Sequence, residues 1–379
     1  MTSGVASGPG PGRRSSGGTG TGPGAGTGGG GAGAARGPNT ARVLELLRTA
    51  GEPGISRPEL AGRTGLTPQA VSKITARLRA DGLVADAGRR ASTGGKPATA
   101  LRLVPTAGYA IGLHLDRDEL TALLLDLTGT PVAVRRTPLD LGAGAEAVLA
   151  VAGAEVAALT APGPDGAAPP LLGVGLAMPG PLDHRTGVPG RVTGFPDWDG
   201  YPLREELARR LGTPVVVDKD TNAAALGLAL RGAAPDSFAY VHLGTGLGAG
   251  LVLDGAVVRG GRTGAGELGH QTVLLDGPPC ECGGRGCLEV LCLTALARGE
   301  LAEAARVLGT GAANLVRLLD IERVLLGGRA VLAAPDAFAR GAREVLAGLR
   351  LPADVAVVTA PHPVAEGAAQ LILAPLFGR

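Results

Sequence analysis

The 379-residue chain has a formal net charge of +2, and this near-neutral total hides a division: residues 1–104 carry 14 Lys/Arg against 5 Asp/Glu, the remainder 22 against 29. A basic front and an acidic body are expected when one end of a chain meets phosphates and the other does not. No uncharged run of about 18 apolar residues occurs, which excludes a membrane-spanning helix, and with aromatic residues at only 2% the core must be Ala, Val and Leu.

Residues 1–38 hold 16 glycines with Pro, Ser and Thr between them. Such a stretch cannot bury enough apolar surface to offset its ordering entropy, and it is expected to be a disordered tail. It lacks the apolar centre of a signal peptide. Arg13, Arg14 and Arg36 lie in it, but the basic excess of the front persists without them.

Residues 39–104 read as a winged helix-turn-helix, mostly α with a β wing. Thr40–Ala50 has Val43, Leu44, Leu46 and Leu47 in a helical rhythm. Ser56 and Glu59 form a capping box that opens a second helix ending near Gly65. Thr67 caps a third, with Pro68 in its first turn. Ala61, Leu66, Val71, Ile74 and Leu78 are the expected packing face. Thr67, Gln69, Ser72, Lys73 and Arg77 are then left to reach base edges and phosphates in a major groove. Leu83-Val84 begins a strand and Leu101–Val104 returns from a basic wing, Gly88–Pro97, with Arg89, Arg90 and Lys96. A small helical bundle with one exposed polar helix has the same local pattern; the wing favours DNA.

Residues 105–379 alternate apolar strands with helices, the mark of an α/β body. Tyr109–Leu115 and Leu120–Asp126 read as paired strands, Ala145–Leu159 as a helix, and Leu172–Ala177 as a buried strand ending at Met178-Pro-Gly-Pro181. Arg204–Leu211 is a helix, Val215–Val217 a strand and Asp220–Leu230 another helix. Ala239–Leu243 and Ala249–Leu253 flank the glycine loop Gly244-Thr245-Gly246-Leu247-Gly248, which alone is a weak signal because most such loops are plain turns.

His270, Cys280, Cys282 and Cys287 have the spacing His-x9-Cys-x-Cys-x4-Cys. Three thiolates and an imidazole match a closed tetrahedral zinc site; the other reading is buried reduced cysteines beside an unrelated histidine. The cysteines, all four within 280–292, suit a reduced, cytoplasmic setting better than disulfides. Cys292 has no ligand role and reads as a buried free thiol.

Pro58–Leu66, Val71-Ser-Lys-Ile74 and Ser92-Thr-Gly-Gly-Lys-Pro97 resemble the winged helix of regulators in the ROK family (repressors, open reading frames and kinases), although Lys96 stands where Arg is usual. Pro179-Gly-Pro181, Asp220–Ala225, Gly244–Gly250, Glu267-Leu-Gly-His270 and the cysteine loop extend the resemblance over nearly all of 105–379. The fold it implies is a two-lobed, actin-like, hexokinase-like (ribonuclease H-like) body. It implies a structural zinc on His270, Cys280, Cys282 and Cys287. It makes Asp220 the counterpart of a kinase's base, and Asn222, Glu267, His270 and Glu289 the sugar-holding set, carboxylates being able to accept several hydrogen bonds at once. Asp220 would serve equally as a helix N-cap and Glu289 as a helix-start carboxylate. Lys219 replaces a usual Asn, a cation placed either to clash with a hexose or to select an anion.

The family's first phosphate loop, Asp-x-Gly-Gly-Thr-Lys, corresponds here to His114–Glu119. Both glycines and the Lys are gone, and Asp116, Asp118 and Glu119 would face a polyanion. One such like-charge pair near 4 Å costs about 4 kcal/mol at an effective dielectric of about 20. The chain between Glu289 and Val324 is also shorter than in family kinases, although Gly327-Gly328 survives. Gly244, Thr245, Gly246 and Gly248 are then a vestigial phosphate loop and Asp220 a vestigial base. The expectation is a cytoplasmic transcription repressor of carbohydrate metabolism, a homodimer or homotetramer on a palindromic operator, with a sugar effector and no catalysis. The opposing readings are an active ATP-dependent sugar kinase with an appended DNA-binding domain, and a ligand-free architectural DNA binder.

Overall fold

The computed structural model describes residues 37–89, 99–163, 166–192, 194–232 and 235–379. The tail expected over 1–38 and the wing residues Arg90 and Lys96 thus fall outside the described residues, save for Gly37 and Pro38. Among the described residues no helix is long and apolar enough to cross a membrane.

The front consists of α1 (Pro38–Ala50), β1 (Ile55–Ser56), α2 (Arg57–Thr64), α3 (Pro68–Ala80), β2 (Val84–Arg89) and β3 (Thr99–Leu103), the strands pairing antiparallel in the order β1-β3-β2. Local chemistry sets its helix ends. Ser56 N donates to Glu59 Oε2 at 2.8 Å while the Ser56 hydroxyl accepts from Glu59 N, closing the capping box. Gly65, at φ 71°, ends α2 in the left-handed conformation that a side chain resists. Thr67 Oγ1 accepts from Ala70 N at 3.2 Å and starts α3. Val71 and Leu78 are fully buried, and Ala61, Leu66 and Ile74 half-buried against them. Leu60, also fully buried, is a core residue that the helical rhythm did not single out.

The body holds two five-stranded sheets. The first is formed by β4 (Tyr109–Leu115), β5 (Glu119–Asp126), β6 (Pro131–Pro138), β7 (Leu171–Met178) and, after the short pair β8 (Leu182–Asp183) and β9 (Val188–Pro189), β10 (Val215–Lys219). Helices α4 (Ala145–Leu159) and α5 (Leu203–Leu211) lie between its strands in sequence. Helix α6 (Asp220–Leu230) leads to the second sheet: β11 (Phe238–Leu243), β12 (Leu247–Leu253), β13 (Ala256–Val257), β14 (Arg323–Gly327) and β15 (Asp354–Val357). Helices α7 (Leu288–Ala297), α8 (Leu301–Leu319), α9 (Arg329–Ala333) and α10 (Pro335–Gly348) accompany it, and α11 (Pro363–Leu373) closes the chain.

The two sheets share one plan. In each, three strands run as an antiparallel meander, and two parallel strands are added beside the first of them: β6-β5-β4-β7-β10 and β13-β12-β11-β14-β15. Parallel additions need helical crossovers, which cover the sheet faces and make the central strands apolar, whereas the edge strand β6 stays exposed. Helix α11 packs on β4, β5 and β7, α6 packs on β11 and β12, and the two helices pack on each other between the lobes. Their backbones touch closely: a Cβ on Gly367 would lie 1.7 Å from the Ala223 carbonyl oxygen. Any side chain there would force the helices apart.

The core does not stop where the front ends. Phe377, in the short turn of helix Ala374–Phe377 after α11, is buried in one apolar cluster with Val43, Leu44, Leu47 and Leu103. The Arg48 guanidinium lies 5.4 Å from the centre of its ring, and Arg379 reaches Glu45 at 3.4 Å. The helical front is therefore packed onto the body rather than merely tethered to it.

Candidate functional site

Between the lobes lies a cleft lined by Asp116, Arg117, Lys219, Asp220, Glu267, His270 and Glu289, with Pro179-Gly180 and Thr245–Gly248 along its walls. Asp220 and three of the four expected sugar-holding residues thus meet in one place, although Asp220 and Glu289 stand 69 positions apart in sequence. The chain enters this cleft where β10 ends and α6 begins. Lys219 is the N-cap of α6, without a side-chain cap bond, so Asp220 is not the cap. Among the described residues its carboxylate accepts only from Thr221 N, at 2.6 Å, and burial, partly countered by Lys219, raises its pKa to about 7.

A raised carboxyl pKa means that the folded chain binds a proton the unfolded chain has released, so stability falls as pH climbs from about 4 to about 7. Asp220→Asn is expected to flatten that slope and to raise stability at pH 8. The gain is at most about 4 kcal/mol, because water still reaches the carboxyl. Equal pH dependence of denaturant midpoints in the two proteins would refute it.

Glu289 sits in the first turn of α7, and its Oε2 accepts from Leu247 N at 2.8 Å, tying that helix to the glycine loop. Lys219 is 2% exposed. Its Nζ donates to the Ala265 carbonyl at 2.6 Å and to Glu267 Oε1 at 3.0 Å. Gly180 leaves room for it, since a Cβ there would lie 3.0 Å from Lys219 Cδ. The ammonium is therefore paired within the protein rather than standing free on the cleft wall. Asn222 also differs from expectation. It is wholly buried and absent from the cleft wall, and its amide donates to Asp218 at 3.0 Å. Asp218, 1% exposed, accepts from Lys219 N and, through Oδ2, from Arg259 Nε at 2.7 Å. Asn222 thus supports the strand end behind Asp220 instead of touching a ligand. Asp218 and Arg259 were not singled out from the sequence, because a charged pair buried between distant segments leaves no local pattern.

The ligand atoms of His270, Cys280, Cys282 and Cys287 all lie within 4.8 Å of one another. Cys280 Sγ is 3.7 Å from His270 Nδ1, and Cys282 Sγ is 3.7 Å from Cys287 Sγ. A tetrahedral zinc ion, with bonds of about 2.3 Å to sulfur and about 2.0 Å to nitrogen, sets ligand separations of about 3.5–3.8 Å. The four side chains therefore fit a tetrahedral metal ion. His270 belongs to both constellations, three residues from Glu267 and on the cleft wall. Cys292, buried, is outside the cluster.

The His114–Glu119 segment is the tight turn from β4 into β5, closed by Asp116 N donating to the Glu119 carbonyl at 2.9 Å. Its acids are not bare. Arg329, the first residue of α9, donates to Asp116 Oδ2 at 2.5 Å and to Asp118 Oδ2 at 2.7 Å. Thr245 of the glycine loop donates to Asp116 Oδ1 at 3.1 Å. The Arg329 hydrogen bond holds the Asp118 carboxyl low; burial works to raise the Asp116 carboxyl, but His114, Arg329 and the Arg117 amide together hold it low as well. Burial pushes the His114 imidazole down to about 4, so it is neutral at pH 7. The uncompensated acidic face expected from the sequence is thus corrected by a partner more than 200 residues away. His242, which also lines the cleft and accepts or donates to Tyr240 Oη at 3.0 Å, was not anticipated either.

On the front, Thr67, Gln69, Ser72, Lys73 and Arg77 are all exposed along α3. Arg79, two residues further, is paired with Asp86. The backbone of Arg89 belongs to β2, while its side chain, like Arg90 and Lys96, lies outside the described residues.

Comparison with known proteins agrees with both halves. A winged helix-turn-helix DNA-binding model matches residues 38–85, and the ROK family model matches residues 112–298. The chain is 30% identical over 240 residues to the xylose repressor of Bacillus subtilis, a match covering 62% of this chain and 61% of that protein. The chain thus spans about three-fifths of the length of the curated relatives it matches. Among solved structures, the ROK hexokinase from Thermus thermophilus is 30% identical with a TM-score of 0.56, covering 69% of this chain and 96% of that one. A ROK family transcriptional regulator, a homologue of the Escherichia coli MLC protein, superposes with a TM-score of 0.72 at 24% identity over 90% of this chain and 96% of that one, a likeness of fold. The chain belongs to the ROK family, with a winged helix-turn-helix in front of a hexokinase-like α/β body.

Proposed function

We propose that this chain is a DNA-binding transcriptional repressor of carbohydrate metabolism whose kinase-like body senses a sugar or sugar derivative and no longer phosphorylates it. The observation that carries the reading is the pairing of an exposed polar recognition face on α3 with a cleft whose phosphate-loop position is filled by Asp116, Asp118 and Arg329. Backbone amides spaced by glycines cradle phosphates; carboxylates already bonded to a guanidinium do not. The xylose-repressor relatives support the regulator class.

In this reading Glu289, Asp220 and the free oxygen of Glu267 accept from sugar hydroxyls, while Lys219 orients Glu267. Zinc on His270, Cys280, Cys282 and Cys287 is structural and fixes the loop that carries His270 into the cleft. The sugar changes the affinity of paired winged helices for a palindromic operator, which requires that it bind two lobe arrangements unequally. A homodimer, or a pair of dimers, is the expected assembly by sedimentation.

One observation favours the active kinase instead: Asp220, with its pKa near 7, is poised as a general base. Incubating the protein with ATP, magnesium and glucose, mannose, xylose or N-acetylglucosamine decides the matter. No sugar phosphate above background is expected; turnover abolished by Asp220→Asn would establish the kinase.

A further inference from the structure

We propose that Arg329, Asp116 and Asp118 form an interlobe latch by which the chain holds its own cleft closed. Asp116 and Asp118 stand in the turn between β4 and β5 of the first sheet, and Arg329 follows β14 of the second. Every bond among them therefore runs from lobe to lobe. One guanidinium nitrogen serves Asp116 and Asp118 together and the other serves Asp118 alone, so the planar fork is filled from both sides. The Thr245 hydroxyl adds a bond from the second lobe to the remaining oxygen of Asp116.

Local backbone geometry aims the arginine. Gly328 has φ 93°, and a Cβ there would lie 2.3 Å from the Leu243 carbonyl oxygen. Only glycine lets the chain turn against the end of β11 and deliver Arg329 to the cleft mouth. Among the described residues three other ion pairs join the lobes or the helices between them, Lys219 with Glu267, Arg259 with Asp218 and Arg231 with Glu366, but each has one partner almost wholly buried, with side-chain exposures of 3%, 2% and 6%. In the latch Arg329 is 46% and Asp118 59% exposed, while Asp116 is 18% exposed. Water and salt reach it, so it is the interlobe tie that can open without unfolding the body. An anion entering between the lobes at this point meets two carboxylates and must displace the arginine. The closed arrangement is thereby the resting one, set by the chain rather than by a ligand. This inference concerns the two lobes alone and stands or falls whether or not a sugar binds.

Hydrogen–deuterium exchange of the full chain tests it, comparing wild type, Arg329→Met and Asp118→Asn. Breaking the latch is expected to speed exchange on both lobes, at 116–119 and at 244–248, by at least about tenfold in Arg329→Met and by less in Asp118→Asn. Wild type in 1 M NaCl should shift in the same direction. Because Asp118 is a surface residue, its variant keeps the test valid if Arg329→Met proves unstable. Faster exchange confined to 329–333, or no change at 244–248 in either variant, overturns the latch and leaves a local surface ion pair.

Discussion

Replacing Gln69, Lys73 and Arg77 together with alanine is expected to abolish specific operator binding while leaving the fold intact. All three are exposed on α3, so their removal opens no cavity, whereas the buried face of that helix, Val71, Thr75 and Leu78, is untouched. Base and phosphate contacts of this kind contribute about 1–3 kcal/mol each. Losing three weakens binding by on the order of a thousandfold or more. The single changes should separate by kind. Lys73→Ala or Arg77→Ala lowers the salt slope of binding by about 1 where a phosphate contact is lost, whereas Gln69→Ala alters base preference more than salt dependence. The operator is obtained by selecting bound fragments from genomic DNA, and affinities are read at several salt concentrations. Full affinity in the triple variant would mean that another element reads the DNA.

Cys282→Ser is expected to remove the metal and loosen the body. Apart from the Cys/His cluster, the segment from Gln271 to Cys287 is held mainly by the hydrogen bonds of its own turns. Its ladder bonds are the isolated bridges Thr272–Cys287 and Pro279–Arg285, and Leu275 in its middle is 84% exposed. Its tight turns rely on glycine: Gly286, at φ 58°, could not carry a Cβ, which would lie 1.7 Å from the Leu274 carbonyl oxygen. A thiolate-bound ion at such a place fixes conformation that the backbone alone does not. About one zinc per chain is expected by elemental analysis of protein purified without chelator. In Cys282→Ser that zinc is lost, stability drops by several kcal/mol, and the thermal midpoint falls by several degrees. Because Cys287 caps α7 and His270 lies on the cleft wall, ligand binding should weaken as well. Zinc-free wild-type protein that melts at the same temperature as zinc-loaded protein would sink the idea.

What was legible in the sequence was the part whose physics is local. The capping box of Ser56 and Glu59, the cap at Thr67 and the glycine at 65 act within one helical turn, so they mark helix ends without knowledge of the fold. Strand and helix alternation reflects side-chain periodicity, and the cysteine spacing brings a few nearby side chains into one cluster with His270. Motif order then carried the family. The tertiary structure decided whatever depends on groups that meet only after folding. Arg329 neutralises acids more than 200 residues earlier, which turns an apparently repulsive loop into a tie between lobes. Lys219 is paired with Ala265 and Glu267, and Asn222 faces Asp218 instead of the cleft. Phe377, near the chain's end, fills the core beneath α1. Charges are placed by their partners and apolar side chains by the surfaces they cover. Because both act through space, neither the latch nor the shared core has a signature along the chain.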